Sequence, residues 1–239
     1  MVKKETKKKI QKTEKQVESF EEALTRTEQF IEDNQKILTI IVGIIVVIVV
    51  GYTFFRRMVV QPKYKEALTQ MYVAEDYFEK DSFNLALNGD GNNLGFLDII
   101  DQYKITKAAS LAKYYAGISY LRLGQYEDAI AYLTKFHSKD LMVSVVALGA
   151  TGDAWMQLGD KKKALEYYLK AAGKTGAGFV TPVYLMKAGT VLEELKDYDK
   201  ALEVYNKIKD KYPESREAQN IEKFITRVEL SKELAASGK

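Results

Sequence analysis

From Ile37 to Phe55 the chain reads ILTIIVGIIVVIVVGYTFF, without one charged side chain. Nineteen helical residues at about 1.5 Å each cover roughly 28 Å, the hydrocarbon thickness of a bilayer. Lys36 bounds the run on one side, and Arg56 and Arg57 on the other. A cleaved leader fits poorly, because the run starts late and ends in the bulky Tyr52-Thr53-Phe54-Phe55. The pattern predicts a single retained transmembrane helix, meeting lipid through residues 37–55. Upstream, Val17, Phe20, Leu24, Thr27 and Ile31 recur at helical spacing beside Phe30, opposite Glu18, Glu21, Glu22, Glu28, Glu32 and Asp33. That predicts a short amphipathic helix, either solvated or docked on a partner. Its acidic polar face disfavours anionic lipid.

Beyond the apolar run the hydrophobic positions take helical spacing in blocks that resemble one another. Residues 110–144 contain Ala116-Gly117, Tyr120, Leu123-Gly124, Tyr126, Ala129 and Leu133. Residues 145–181 repeat this with Thr151-Gly152, Trp155, Leu158-Gly159, Ala164, Tyr168 and Ala171. Residues 182–214 give Ala188-Gly189, Leu192, Leu195, Tyr198, Ala201, Tyr205 and Pro213. Gly117, Gly152 and Gly189 recur at spacings of 35 and 37, and Ala129, Ala164 and Ala201 at the same spacings. The pattern resembles the tetratricopeptide repeat, which implies two antiparallel helices per unit. Gly124 and Gly159 are expected at the positive-φ turn, small residues where helices cross, and Tyr120, Trp155, Tyr168 and Tyr205 in the gaps between hairpins. No unit buries its apolar face alone, so the blocks must stack. Thr181-Pro182 reads as a helix start, with Thr181 as the capping hydroxyl.

A degenerate unit precedes these: Val73-Ala74, Tyr77, Phe83 and Ala86 match the same offsets, with a first helix starting near Pro62. An insertion, Asn88-Gly89-Asp90-Gly91-Asn92-Asn93, then interrupts it before a helix resumes between Leu94 and Tyr103. The stretch from Glu217 to Leu234 looks like the polar-faced cap a solenoid needs. The expected architecture is all-α. It divides into a lysine-rich tail with its short helix (1–36), an anchor (37–57), a degenerate repeat with insertion (58–109), three repeats (110–214) and a capping helix (215–239).

Composition narrows the chemistry. The 239 residues include no cysteine and a single histidine, with 15 Gly and 3 Pro. Disulfides, thiolate sites and His-rich metal centres are thereby excluded. His137 reads as an exposed cation near a helix C-terminus. The Asn88–Asn93 loop lacks a bidentate glutamate at the twelfth position, which is Ile99, so a calcium loop is not supported. Gly173 to Gly178 has neither a preceding strand nor a P-loop lysine and reads as an inter-repeat connection. Beyond the anchor, 25 Lys/Arg balance 25 Asp/Glu, which gives nucleic-acid binding no electrostatic basis. No catalytic residue, cofactor or metal is predicted. The face offered by the first helices is the candidate partner-binding surface: Met71, Glu75, Tyr114, Ile118, Arg122, Asp153, Met156, Gln157, Met186, Thr190 and Glu193. The carboxylate clamp of co-chaperone repeats is absent, since its positions hold Met71, Tyr72, Glu75; Tyr114, Tyr115, Ile118; and Gly149, Ala150, Asp153.

Charge leaves the orientation open. Near the anchor, Arg26 and Lys36 face Arg56, Arg57, Lys63 and Lys65, yet the first fifteen residues hold seven lysines against two glutamates. The order of parts resembles the YfgM-like ancillary subunits of the bacterial Sec translocon, in their Bacteroidetes-type form. The stretch from Asn88 to Gly117 supports that likeness. The resemblance implies an inner-membrane protein with a cytoplasmic N-terminus and periplasmic repeats, non-enzymatic and active in protein transport as a chaperone-adaptor. Its implied partners are the Sec translocon channel, a membrane-anchored prolyl-isomerase-like chaperone and secreted client chains. A structural scaffold of another membrane complex, or a cytoplasmic-facing adaptor, are the alternatives from the residues alone.

Overall fold

A computed structural model of the chain describes residues 31–174 and 178–237. The acidic segment with Val17, Phe20, Leu24, Thr27 and Phe30, and Thr175 to Ala177 of the glycine-rich connection, lie outside the described residues. Among those described there is no strand. The chain forms two compact units, one ending at Val59 and one beginning at Val60.

In the first unit the apolar run forms α1 (Gln35–Phe55), none of whose residues is buried. Its length and composition suffice to cross a membrane. Its two threonine hydroxyls bond within the helix, Thr39 Oγ1 donating to the Gln35 carbonyl at 2.7 Å and Thr53 Oγ1 to that of Val50 at 2.9 Å. Neither threonine then needs a water partner. A π-helical turn, Arg56–Val60, follows. It lies just before Pro62, which has no N–H to donate and whose ring crowds the preceding turn.

The second unit is a series of helical hairpins. Its elements are α2 (Gln61–Glu79), α3 (Phe83–Asn88) and α4 (Phe96–Gln102), then α5 (Lys107–Arg122) with α6 (Tyr126–Leu133) and α7 (Leu141–Gln157) with α8 (Lys161–Ala172). They continue with α9 (Thr181–Glu194), α10 (Tyr198–Lys211), a 3-10 turn at Ala218–Asn220 and α11 (Ile221–Ala236). The helix α9 begins on Thr181 itself, with Val180 in the flanking position where Thr181 was expected to cap. Elsewhere caps follow the residue chemistry: Thr106, Asp140, Asp160 and Asp197 each accept a backbone N–H from three residues on.

Each hairpin turns in the same way. Gly124 and Gly159 have φ of 76° and 81°, and in the other two hairpins the equivalent residues are Asp81 at 56° and Lys196 at 60°. In all four the chain closes the preceding helix with the same pair of bonds. In the first full repeat these run from Gly124 N to Leu121 O and from Gln125 N to Tyr120 O, and in the third from Lys196 N to Glu193 O and Asp197 N to Leu192 O. This is the Schellman closure, which demands a left-handed residue. A lysine there carries a side-chain clash that glycine avoids.

The hairpins close on glycine. A Cβ built on Gly117 would stand 2.5 Å from Leu133 Cγ, one on Gly152 2.6 Å from Tyr168 Cε1, and one on Gly189 2.2 Å from Tyr205 Cε1. The partner lies sixteen residues on each time. Tyr168 and Tyr205 therefore fill the crossing inside their own hairpins, where sequence put them between hairpins. Tyr120 likewise stacks on Tyr132 of its own hairpin at 5.3 Å. The contact between hairpins falls on a glycine the repeat pattern did not single out: a Cβ on Gly149 would lie 1.9 Å from Tyr184 Cε1.

Two large cores result. One joins α2 to α5 around Met71, Phe96, Ile99 and Ala112, and the other joins α7 to α11 around Tyr168, Leu185, Tyr205 and Ile225. Between them sits only a small cluster of Leu133, Phe136, Ala147 and Ala150. In the insertion, Asp90 accepts from the Tyr77 hydroxyl at 2.8 Å and from the backbone N–H groups of Asn92 and Asn93 at 2.9 and 2.7 Å. The Asn93 side-chain amide, donating at 2.9 Å, together with these bonds holds the Asp90 carboxyl well below the usual carboxylate range and makes the loop a self-contained turn.

Two substitutions test this packing with opposite signs. Gly189→Ala should lower the melting temperature, the overlap with the immobile Tyr205 ring costing about 1–3 kcal/mol and exceeding the gain in helix propensity. Lys196→Gly should raise it, by relieving the left-handed strain. A Gly189→Ala protein as stable as its parent would disprove the close crossing.

Candidate functional site

The first helices α2, α5, α7 and α9 carry all the predicted surface positions, and their fates divide. Met71 is corrected from surface to core: only 1% exposed, it packs with Ala67, Ala74 and Phe96 and offers a partner nothing. At the other extreme Arg122, Gln157 and Thr190 are exposed, with Thr190 Oγ1 donating to the Met186 carbonyl at 3.1 Å. Tyr114, Ile118, Met156 and Met186 are half-buried along the edges of the cores. Tyr114 leans on Phe136 at 5.5 Å between ring centroids and on Tyr115 at the same distance, and burial pushes its hydroxyl pKa up.

The three acidic positions are engaged by the neighbouring hairpin. Asp153 on α7 accepts from Lys187 Nζ on α9 at 2.6 and 2.8 Å, and from the Tyr168 hydroxyl at 2.7 Å. The Lys187 ammonium also lies 5.5 Å from the Tyr168 ring centroid. Burial, with the Asp153 carboxylate beside it, raises the Tyr168 hydroxyl far above the ordinary tyrosine range. Burial likewise pushes Tyr184 up to about 12.

Glu193 on α9 holds the cap. Arg227 of α11 grips it with two bonds, Nη2 to Oε1 at 2.6 Å and Nε to Oε2 at 2.9 Å, while the Tyr205 hydroxyl donates to Oε1 at 2.5 Å. Only 16% of the Glu193 side chain is exposed. Such a planar fork is the strong form of an ion pair. Glu75 on α2 pairs with the Tyr115 hydroxyl on α5, which burial pushes up to about 12, and burial raises the Glu75 carboxyl as well.

These contacts share one logic. Glu75 with Tyr115 and Asp153 with Lys187 join the residue after the crossing position of one first helix to the residue two before it on the next. Asp153 with Lys187 and Glu193 with Arg227 are both separated by 34 residues, about one repeat. The acids read from sequence as a binding face are therefore rungs between repeats, and Asp153 stands neutralised. Lys187, Tyr184, Tyr115 and Arg227 were missed. The one-repeat spacing of opposite charges was the signal that could have found Lys187 and Arg227. The indole Nε1 of Trp155 is buried without a hydrogen-bond partner, while Lys163 Nζ lies 3.8 Å over its ring. His137, exposed just after α6, takes a hydrogen bond on its carbonyl from Ser110 Oγ at 2.7 Å. Among the described residues no cluster of three His, Asp or Glu side chains could hold a metal.

Residues 114–178 and 184–215 match the tetratricopeptide repeat family. The fold is similar to the crystal structure of a candidate kinesin light chain from Podosopora anserina with nearly identical TPR-like repeats. The TM-score is 0.50 and the identity 11%, over 72% of this chain and 87% of that one. No curated protein matches the chain. The hairpins α5–α6, α7–α8 and α9–α10 form a TPR-like solenoid, and the repeat matches indicate a protein–protein interaction module on a fold that is typically a non-catalytic scaffold.

Glu193→Ala should detach the cap: losing the Arg227 fork and the acceptor of Tyr205 costs about 1–3 kcal/mol, read by urea unfolding. Gln157→Ala, on an exposed side chain with no hydrogen-bond partner among the described residues, is the control and should change nothing measurable. Equal stability of the two variants would sink the rung assignment.

Proposed function

We propose that the chain is a single-pass membrane protein that uses its repeats to hold protein partners. In this reading it is an ancillary subunit of the bacterial Sec translocon, acting as a periplasmic chaperone-adaptor for secreted proteins. The observation that carries the reading is the coexistence, on one chain, of a 21-residue apolar helix with no buried residue and a stack of interaction repeats. An unburied helix of that composition is unfavourable in water and favourable in hydrocarbon. The lysine-dense first fifteen residues favour a cytoplasmic N-terminus, since cationic tails resist translocation. The Sec assignment rests on the order of parts and on the stretch from Asn88 to Gly117. A channel, a membrane-anchored prolyl-isomerase-like chaperone and emerging client chains are the partners it entails. A cytoplasmic-facing adaptor is the competing reading, favoured by Arg56, Arg57, Lys63 and Lys65 on the C-terminal flank.

Binding is assigned to the half-buried apolar positions Tyr114, Ile118, Met156 and Met186, with exposed Arg122, Gln157 and Thr190 tuning specificity. Apolar anchors dominate hot spots, while peripheral polar groups contribute less.

Two experiments decide these points. Protease added to spheroplasts should digest the repeats while the N-terminal tail stays protected; repeats cut only after lysis would reverse the topology. Tyr114→Ala with Met156→Ala should weaken partner capture by about 2 kcal/mol or more, with helicity unchanged by circular dichroism. Undiminished capture of both translocon and client by that variant would remove the binding face from these helices.

A further inference from the structure

The seam between the first and second repeats differs from the rest of the stack. Its buried cluster of Leu133, Phe136, Ala147 and Ala150 is far smaller than either flanking core. Two grooves open on it, of 580 Å³ and 350 Å³, and they share Phe136, His137 and Ser138 as a common wall. Apolar side chains line the larger one, among them Leu68 from α2, Leu111 from α5 and Val143 from α7. Leu68 is 41% exposed, so this apolar surface is uncovered. Neither Tyr114 nor Met156 lines either groove.

The charge at the seam is one-sided. Lys107 and Lys139 line the larger groove and Lys170 and Lys174 the smaller. The only carboxylate in either lining is Asp140, which is occupied as the cap of α7, accepting from Val143 N at 3.1 Å. Lys170 pairs with Glu166, but Lys107 and Lys139 are exposed and pair with no carboxylate among the described residues. Another groove, beside Tyr212 and Pro213, sets Lys211 and Arg216 against Glu214 and Glu217 and has no such bias. An acidic ligand without apolar groups would leave Leu68, Leu111 and Val143 wet. An apolar one would strip water from two lysines without compensation. We propose that the seam between the first two repeats binds a short partner peptide combining carboxylates with aliphatic or aromatic side chains. The carboxylates meet Lys107 and Lys139, and the apolar groups fill the floor around Phe136.

The test is a selection of random peptides of about twelve residues on the full-length chain in detergent micelles. The expected winners mix Asp or Glu with Leu, Ile or Phe, and crosslink to a photoreactive residue at position 111 or 143. Their affinity should fall about tenfold or more on Lys107→Glu with Lys139→Glu, and should weaken as salt is raised. Lys107→Arg with Lys139→Arg should retain it, which separates charge from misfolding. Winners without acidic bias, winners that bind the charge-reversed variant equally, or no enrichment at all would overturn the proposal. Binding lost in Tyr114→Ala/Met156→Ala but kept in the lysine variant would also overturn it, while leaving the first-helix binding face standing. Anionic vesicles that sediment the parent chain but not the lysine variant, with no peptide enriched, would replace the peptide by a lipid surface.

Discussion

The second unit depends on three close helix crossings, each made possible by a missing side chain. Gly117, Gly152 and Gly189 let the second helix of each hairpin approach until a Cβ would overlap a buried leucine or tyrosine. Everything downstream of that approach follows. The rings of Tyr168 and Tyr205 lie against bare backbone, their hydroxyls emerge beside the first helix, and there they meet Asp153 and Glu193. A larger residue at the crossing would push the ring away and break the hydrogen bond with it. Packing and polar contacts are thus one construction rather than two.

The polar contacts then join repeat to repeat. Stacked units share their stability through nearest-neighbour interfaces, and here those interfaces are partly ionic. Lys187 and Arg227 reach back one repeat to acids on the preceding first helix. Exposed ion pairs contribute little, but the Glu193 fork is shielded and shared with a buried tyrosine, so its geometry is fixed. The use of acids as rungs leaves methionine, tyrosine and a few exposed polar groups as the free part of the first-helix face. It also leaves the seam between repeats one and two without an ionic rung, since Ile118 stands where Glu75 and Asp153 do. The grooves and the unpaired lysines gather at that seam.

Functionally, the two units ask for different surroundings. The helix α1 keeps its apolar side chains outside any core and satisfies its threonine hydroxyls. The repeats bury theirs and present polar surfaces. A chain so divided is suited to tethering an interaction module at a membrane, which is the basis of the proposed role beside a protein-conducting channel.

Sequence alone determined the helical class, the apolar segment and the repeat period, because each is a property of spacing along the chain. The positive φ at Gly124 and Gly159 was legible for the same reason, since glycine marks it; Asp81 and Lys196, which take the same conformation without that mark, were not. The glycines of the crossings were legible as small residues, but not which ring each one meets. Tertiary structure alone decided that Met71 belongs to the core, that Gly149 against Tyr184, rather than Tyr168 or Tyr205, makes the inter-repeat contact, and that Asp153 and Glu193 are spent on the stack. The reason is that helical periodicity tells which residues share a face, whereas exposure and charge pairing depend on the neighbouring helix, whose approach is set by how closely glycine allows two backbones to meet.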